Sequence, residues 1–220
     1  MSKKTVVVFD FDGVLTKGGD GLKQRAWDIL ALPLHPDSAD RLHEKREEFS
    51  GGKGSRYDIL RETFTQFYPR EAELLVVAYA DCYNTLVQKL LEQSGMPEGT
   101  EQTLAELAKG RELFVNSATP EVAVRQSVQN FGIAQHFRGI FGQPISKVDN
   151  LSRAQHLAHV DHTSMLFVGD SEGDRKAAKE FGCDFIGVAN KWNGWEKANV
   201  PGLPLSVVVN SIAELPALLS

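Results

Sequence analysis

Short apolar runs without polar alternation recur along the chain, and each is followed by a polar loop and an amphipathic stretch. The first is Val6 to Phe9, and similar runs lie at residues 113–115, 165–168 and 185–188. Continuous apolar strands are typical of parallel sheets that are covered on both faces, whereas half-buried strands alternate. The repeated order of strand, loop and helix therefore predicts an α/β fold with a parallel sheet and helices on both of its faces.

Residues 20–92 interrupt this order with a block that contains no strand pattern. Apolar residues recur there at helical spacing and predict helices over about residues 22–32, 37–49, 57–67 and 71–90. Gly18, Gly19 and Gly21 lie at one end of the block and Ser94-Gly95 at the other, which predicts two hinges. We therefore predict a discontinuous Rossmann-like core, residues 1–17 and 95–220, and an inserted all-α cap domain, residues 18–94, that acts as a lid.

The overall composition is that of an ordinary globular protein. The chain has 220 residues, of which 42% are hydrophobic and 24% charged, and its net charge is -5. A negative charge argues against a nucleic-acid surface, and the absence of a long apolar run argues against a membrane span. The first apolar stretch stops at Asp10, too early for a signal peptide, and Cys82 and Cys183 are isolated, as in a reducing compartment. We expect a cytoplasmic protein with no nucleic-acid or membrane partner.

The first predicted strand ends abruptly in two carboxylates and a glycine, which are Asp10, Asp12 and Gly13. In α/β proteins the carboxyl ends of parallel strands form the ligand-binding edge of the sheet. Both aspartates reach one site only if the chain turns after Asp10, and Gly13 permits that turn. Because two acids at the end of a dry strand are costly without a positive partner, we expect a cation or a lysine beside them.

Polar residues also follow three later strands, at Ser117, Lys147, Asp170 and Asp174. Each of them alone has an ordinary explanation, such as a helix cap or a surface lysine. Together with the first pair of aspartates they suit phosphoryl transfer. Carboxylates and a backbone carbonyl are hard oxygen ligands for Mg²⁺, and one carboxylate can attack phosphorus to form an aspartyl phosphate. A second carboxyl group can protonate the leaving oxygen, while lysine and hydroxyl groups stabilise the phosphoryl oxygens.

With these motifs the sequence resembles the haloacid dehalogenase superfamily of hydrolases. The resemblance covers nearly the whole chain and is to the group of phosphoglycolate phosphatases and β-phosphoglucomutases, which have an α-helical (C1-type) cap after the first strand. Four motifs carry it: Asp-x-Asp-Gly-Val-Leu-Thr at residues 10–16, a serine after a hydrophobic strand at Ser117, the lone Lys147, and Gly-Asp-x-x-x-Asp at residues 169–174. It implies a phosphatase that uses Mg²⁺ and hydrolyses a small phosphorylated metabolite.

The resemblance also implies a role for each motif residue. Asp10 corresponds to the nucleophile, and Asp12 corresponds to the general acid and base. The implied phosphate-binding residues are Ser117, Ala118 and Lys147. The implied Mg²⁺ ligands are Asp10, the carbonyl oxygen of Asp12, Asp170 and, directly or through water, Asp174.

Other activities of the superfamily remain open at this point. Haloacid dehalogenases need no acid for their leaving group and lack the second aspartate, and phosphonatases likewise dispense with it, so Asp12 argues against both. A phosphosugar mutase would transfer the phosphoryl group within a sugar phosphate. Such enzymes carry a histidine early in the cap, but the first histidine here is His35. A non-catalytic binding protein of the same fold is disfavoured because every reacting group is present.

The predicted cap contains one loop with candidate substrate residues, Lys53 and Arg56. The segment superficially resembles a phosphate-binding loop, yet no strand precedes it and glycine follows the lysine. The two cations are instead expected to bind an anionic group of the substrate, as a matching loop does in β-phosphoglucomutase relatives, with solvated loop charges as the alternative. The identity of the substrate and the oligomeric state stay open.

Overall fold

The structure is a computed structural model that describes residues 4–49, 54–190, 193–195 and 207–220. Contacts between residues divide the chain into two compact units. The larger comprises Met1–Asp20 and Leu91–Ser220, and the smaller comprises Gly21–Leu90. Lys53, one of the two predicted substrate residues, lies outside the described residues.

A parallel sheet forms the centre of the larger unit. Its described strands are β1 (Val6–Phe9), β2 (Glu112–Pro120), β3 (Phe137–Gln143), β4 (Met165–Gly169), β5 (Asp184–Val188) and β6 (Val207–Val209). They lie in the order β3-β2-β1-β4-β5-β6, with every neighbouring pair parallel. All four residues of β1 are at most 1% exposed. Because successive side chains point to opposite faces, both faces of the sheet are covered at its centre, which confirms the predicted α/β, Rossmann-like sheet.

Helices connect the strands from β1 to β5 and also make up the smaller unit. The helices of the described ranges are α1 (Gly19–Ala31), α2 (Pro36–Glu48), α3 (Arg56–Phe67), α4 (Ala72–Ser94), α5 (Thr100–Leu107), α6 (Glu121–Asn130), α7 (Lys147–Ala158), α8 (Glu172–Phe181) and α9 (Leu215–Leu218). Within the larger unit, α6 and α7 pack on β2 and β3, and α8 packs on β4 and β5. The core between helices and sheet contains the stacked rings of Phe114 and Phe141, whose centroids are 6.0 Å apart.

The described residues of the smaller unit form only helices and their connections, as the apolar spacing predicts. Helices α2 and α3 pack against each other. Phe64 is fully buried, and its ring meets Tyr79 edge-on with centroids 4.8 Å apart. Trp27 on α1 and Tyr83 on α4 hold their rings 4.4 Å apart. Helix α4 is 23 residues long, yet in the described part of the chain no helix combines length and apolar character sufficient to cross a bilayer.

The two segments that lead into and out of the helical block hydrogen-bond to each other. The amide of Lys17 donates to the Gly95 carbonyl at 2.9 Å, and the Ser94 hydroxyl donates to the Lys17 carbonyl at 3.0 Å. Gly18 and Gly95 have φ angles of 92° and 70°, a region in which a side chain would be strained. Gly18 and Gly95 therefore occupy positions where the backbone favours glycine, whereas Gly21 lies within α1.

Helix α7 begins earlier than its pattern predicts, and the difference concerns Lys147. The apolar spacing predicts a helix over residues 149–160, whereas α7 begins at Lys147. Ser146 caps this helix, because its hydroxyl accepts a hydrogen bond from the Asp149 amide at 3.1 Å. Lys147 is thus the first residue of a capped helix and not part of a loop.

Candidate active site

The carboxyl ends of the central strands bring together acidic residues that are far apart in the sequence. Strand β1 pairs in register with both β2 and β4, so the polar residues that follow β1 and β4 emerge at the same level. Asp10 follows β1, Asp170 follows β4, and Asp174 lies in the first turn of α8. One carboxylate oxygen from each of these three residues lies within 4.8 Å of the other two. This edge of the sheet therefore carries a compact acidic group.

Lys147 lies between two of these acids. Its ammonium group donates to Asp10 Oδ1 at 2.9 Å and also to Asp174 Oδ1. Asp10 is 5% exposed and Asp174 is fully buried, so these hydrogen bonds are formed almost out of contact with water. Removal of either partner of a buried ion pair destabilises the fold, because the other charge is then buried without compensation.

The pKa values of Asp10 and Lys147 are both raised, but for different reasons. Burial raises the pKa of Asp10 to about 7, the negative charges of Asp174 and Asp12 add to the rise, and the ammonium of Lys147 opposes it. For Lys147, burial lowers the pKa, but the attraction of Asp10 and Asp174 outweighs burial and the net shift is upward. Lys147 is therefore charged at neutral pH.

Backbone caps and a buried amide hold Lys147 and Asp174 in place. Asp174 Oδ2 accepts hydrogen bonds from the Ser171 amide at 3.0 Å and the Ser171 hydroxyl at 2.6 Å, and so completes a capping box at the start of α8. The fully buried Asn116, at the end of the apolar part of β2, donates from Nδ2 to the Lys147 carbonyl at 2.8 Å. Both oxygens of Asp174 are consequently engaged by groups of the chain itself.

Asp170 has different neighbours and is only half-buried. Its Oδ2 accepts a hydrogen bond from Asn190 Nδ2 at 2.8 Å, and its carbonyl accepts one from Asn193 Nδ2 at 2.8 Å. Gly13 lies directly beneath the same carboxylate, since a Cβ at that position would be 2.1 Å from Asp170 Oδ2. Gly13 also has φ +84°, so both the turn and the close approach of Asp170 require glycine.

Asp12, Ser117 and Thr119 form a second polar group on this edge. Asp12 is 5% exposed and Ser117 is 1% exposed. The Thr119 hydroxyl donates to Asp12 Oδ2 at 3.0 Å, and the Thr119 amide donates to the Ser117 hydroxyl oxygen at 3.0 Å. Ala118, between them, is exposed. The carboxylate of Asp12 thus has a partner separate from the acids that surround Lys147.

Arg56 is the described member of the predicted substrate pair and lies in the smaller unit. It is the first residue of α3, behind Ser55, whose amide and hydroxyl bond Asp58 in a capping box. Its guanidinium donates to Asn84 Oδ1. The guanidinium carbon also lies 5.8 Å from the centroid of the Tyr57 ring, a cation–π distance. Arg56 is therefore a half-buried, oriented cation.

Four polar residues at this edge of the sheet were not predicted from the sequence, namely Asn116, Thr119, Asn190 and Asn193. Asn116 and Asn190 carry the same signal that identifies Ser117, because each is a polar residue immediately at the end of an apolar strand. Thr119 and Asn193 have no such signal. Their role depends on which side chain lies opposite in the folded chain, and sequence spacing does not determine that.

Comparisons with known proteins agree with this arrangement. The chain matches the haloacid dehalogenase-like hydrolase family over residues 7–179. A phosphoglycolate phosphatase from Yersinia pseudotuberculosis is 29% identical over 226 residues, which are 96% of this chain and 92% of the relative. A phosphoglycolate phosphatase from Vibrio vulnificus is 31% identical over 194 residues, 84% of this chain and 69% of the relative.

Solved structures show the same fold. A haloacid dehalogenase-like family protein from Streptococcus pneumoniae superposes with a TM-score of 0.70 at 18% identity, over 100% of both chains. The matched residues include Asp10, Ser117, Lys147 and the first turn of α8. On the strength of this match and of the relatives that share its length, the chain belongs to the haloacid dehalogenase-like hydrolase family.

Proposed function

We propose that the protein is a Mg²⁺-dependent phosphatase that hydrolyses a small phosphorylated metabolite through an aspartyl-phosphate intermediate. The observation that carries the proposal is the arrangement around Asp10. This carboxylate is buried, it contacts Lys147 at 2.9 Å, and its oxygens converge with those of Asp170 and Asp174. A buried carboxylate between a fixed ammonium and an oxygen-rich cation site is suited to attack a phosphoryl group whose charge both would offset.

The donor set fits Mg²⁺. All the converging groups are carboxylates, and hard oxygen ligands are those that Mg²⁺ selects. One oxygen from each of Asp10, Asp170 and Asp174 lies within 4.8 Å of the other two, which is close enough for the three carboxylates to share one ion directly or through water. Asp10, the Asp12 carbonyl and Asp170 would hold the ion. Asp174 would act through water, because both of its oxygens already accept hydrogen bonds from Lys147 and Ser171. When bound, Mg²⁺ would neutralise part of the charge on the phosphoryl oxygens.

The chain's own residues account for both half-reactions. An oxygen of Asp10 attacks phosphorus in line, the bond between phosphorus and the ester oxygen breaks, and Asp12 gives that oxygen a proton. In the second step Asp12 takes a proton from water as the water attacks phosphorus, which releases inorganic phosphate and regenerates Asp10. Lys147, the Ser117 hydroxyl and the Ala118 amide stabilise the phosphoryl oxygens.

Asp12 supports hydrolysis of a phosphate ester over the other reactions of the superfamily. Displacement of halide and cleavage of a phosphonate need no second aspartate, whereas an alkoxide leaving group requires a proton. Here the second aspartate is present and is oriented by Thr119. The products distinguish a mutase from a phosphatase, because a mutase forms an isomeric sugar phosphate and little inorganic phosphate.

The relatives named phosphoglycolate phosphatase, 29% and 31% identical, make 2-phosphoglycolate the first substrate to test. We expect the purified protein to release inorganic phosphate from at least one member of a panel of phosphorylated metabolites when Mg²⁺ is present. EDTA should remove this activity, and an excess of Mg²⁺ should restore it. Turnover that persists in EDTA after exhaustive dialysis would contradict the metal requirement. Formation of a sugar phosphate isomer without phosphate release would favour the mutase.

Arg56 is proposed to bind an anionic group of the substrate. Its guanidinium is held by Asn84 and stacked near Tyr57, so little conformational freedom is lost when it binds. We expect Arg56→Ala to raise KM about tenfold, which corresponds to the loss of one charge-assisted hydrogen bond, while kcat changes little. Steady-state kinetics on the best substrate of the panel measures both constants.

Arg61→Ala is the matched control for this variant. Arg61 lies on the same helix but is exposed and paired with Glu73 at 2.7 Å. A KM that rises equally in both variants, or in neither, would show that Arg56 does not bind the substrate.

A further inference from the structure

The segment after β5 contacts Asp170 through two asparagines that take no part in the proposed chemistry. Asn190 Nδ2 donates to the Asp170 carboxylate, and Asn193 Nδ2 donates to the Asp170 carbonyl, each at 2.8 Å. The same Asn193 amide group also donates to the Val188 carbonyl at 2.8 Å, at the end of β5. One segment therefore contacts both the main chain and the side chain of a single acidic residue.

The orientation of the Asn190 amide follows from its other hydrogen bond. Asn190 Oδ1 accepts from the Asn193 backbone amide at 3.0 Å, and Asn193 Oδ1 accepts in return from the Asn190 backbone amide at 3.1 Å. Because the oxygen must face a donor, the NH₂ group of Asn190 must face Asp170. The reciprocal pair thus presents a donor, and not an acceptor, to the carboxylate.

An aromatic anchor fixes this segment to the sheet. The Trp195 amide donates to Asn193 Oδ1 at 3.0 Å, and the Trp195 ring is 6% exposed. The ring lies over Gly187 of β5, where a Cβ would be 2.9 Å from Trp195 Cε3. It also meets Phe185 edge-on, with centroids 6.1 Å apart. The asparagine pair is consequently attached to the hydrophobic core.

Asp170 is held by different groups from the other acids of the site. Lys147 holds Asp10 and Asp174, and both of these are buried. Asp170 is half-buried, and its Oδ2 lies between Gly13 beneath it and the amide of Asn190. The hydrogen bond from Asn190 fixes Oδ2 and with it the orientation of the Asp170 carboxylate. Groups that orient a ligand in this way commonly change metal affinity by about 10–100-fold.

We infer that Asn190 is a positioning residue that orients Asp170 as a metal ligand, with Asn193 and Trp195 as its support. The inference rests on the proposed function only in taking Asp170 as a ligand of the divalent cation. Asn190, Asn193 and Trp195 would thus increase the metal affinity of the site, although none of them belongs to the four motifs.

Metal binding is measured directly, without turnover, by titrating the full-length protein with Mn²⁺ and following the electron paramagnetic resonance signal of the free ion. We expect the dissociation constant for Mn²⁺ to rise about tenfold or more in Asn190→Ala. In the control Asn130→Ala it should stay within twofold, because Asn130 is exposed on α6 and bonds Glu92. In phosphatase assays the half-saturating Mg²⁺ concentration should rise similarly, with kcat at saturating Mg²⁺ within about threefold of wild type.

Asn190→Ser is the second variant, for use if Asn190→Ala does not fold. A serine hydroxyl can still accept from the Asn193 amide but is too short to replace the amide donor to Asp170, so the same loss of Mn²⁺ affinity is expected. Wild-type affinity in the folded variants would overturn the positioning role while leaving the proposed phosphatase intact. A wild-type protein that binds no Mn²⁺ would overturn both.

Discussion

Asp10→Asn is expected to lower phosphate release from p-nitrophenyl phosphate by about 10⁴-fold or more, the scale seen when a covalent nucleophile is removed. The amide oxygen carries no charge and cannot form the aspartyl phosphate. The substitution also removes the acceptor that Lys147 contacts at 2.9 Å. Steady-state release of nitrophenol and of phosphate measures the loss.

Asp12→Asn is the informative partner of this variant. Nitrophenol is a good leaving group that needs no proton, so the first step should survive in Asp12→Asn, while the attack of water should be slow because the base is missing. We therefore expect a burst of about one nitrophenol per active site in Asp12→Asn and no burst in Asp10→Asn. Full turnover by Asp10→Asn, beyond what a contaminating phosphatase explains, would eliminate the covalent mechanism.

Lys147→Met is expected to cost both activity and stability. In the metal-free protein the substitution leaves Asp10 and Asp174 buried without the ammonium that they share. Breaking such a buried pair destabilises proteins by about 3–5 kcal/mol, and loss of a charge on the phosphoryl oxygens lowers kcat by about 10²-fold or more. Urea unfolding in EDTA measures the first effect, and phosphate release in Mg²⁺ measures the second.

The loss of stability should depend on pH in a defined direction. Burial and Asp174 already raise the pKa of Asp10 to about 7 with Lys147 present, and without the ammonium the pKa rises further. A group whose pKa is higher in the folded state than in the unfolded state favours folding at low pH and loses that contribution as the pH rises. Lys147→Met should therefore be closest to wild type near pH 5 and most destabilised near pH 8.

Lys179→Met serves as the control, because Lys179 is exposed on α8 and such changes stay within about 0.5 kcal/mol. Wild-type stability of Lys147→Met in EDTA at pH 8 would contradict the buried ion pair. A loss that does not depend on pH would contradict the assignment of the pair to Asp10 and Asp174.

The fold was predictable because its signals are local. The four consecutive apolar residues of β1 are all buried, and a strand that is dry on both faces has no other simple position than the middle of a covered parallel sheet. The all-helical character of the described part of residues 21–90 was equally predictable from helical spacing of apolar residues. The start of α7 was not, since the cap at Ser146 adds two residues to the helix before its apolar pattern begins.

The acids of the candidate site were found because each lies directly behind a strand, and parallel strands end at one edge. That rule predicts proximity, but it says nothing about which groups pair. Lys147 bonds Asp10 and Asp174, whereas Asn190 bonds Asp170. This pairing is decided by side chains of different helices and loops, and Lys147 and Asp10 are more than a hundred residues apart in the sequence. Trp195, which anchors Asn193, likewise shows in the sequence only as an aromatic residue after the last motif.

The pattern of this chain alone thus establishes a covered parallel sheet, a helical insertion and an acidic, lysine-bearing edge, because strand burial and strand ends are encoded by near neighbours. Only the tertiary structure decides how the charge at that edge is distributed. Burial raises the pKa of Asp10 to about 7, the capping box at Ser171 orients Asp174, and an asparagine from beyond β5 holds Asp170. The physical reason is that hydrogen-bond partners and exclusion of water arise from contacts between distant segments, which form only when the sheet is assembled.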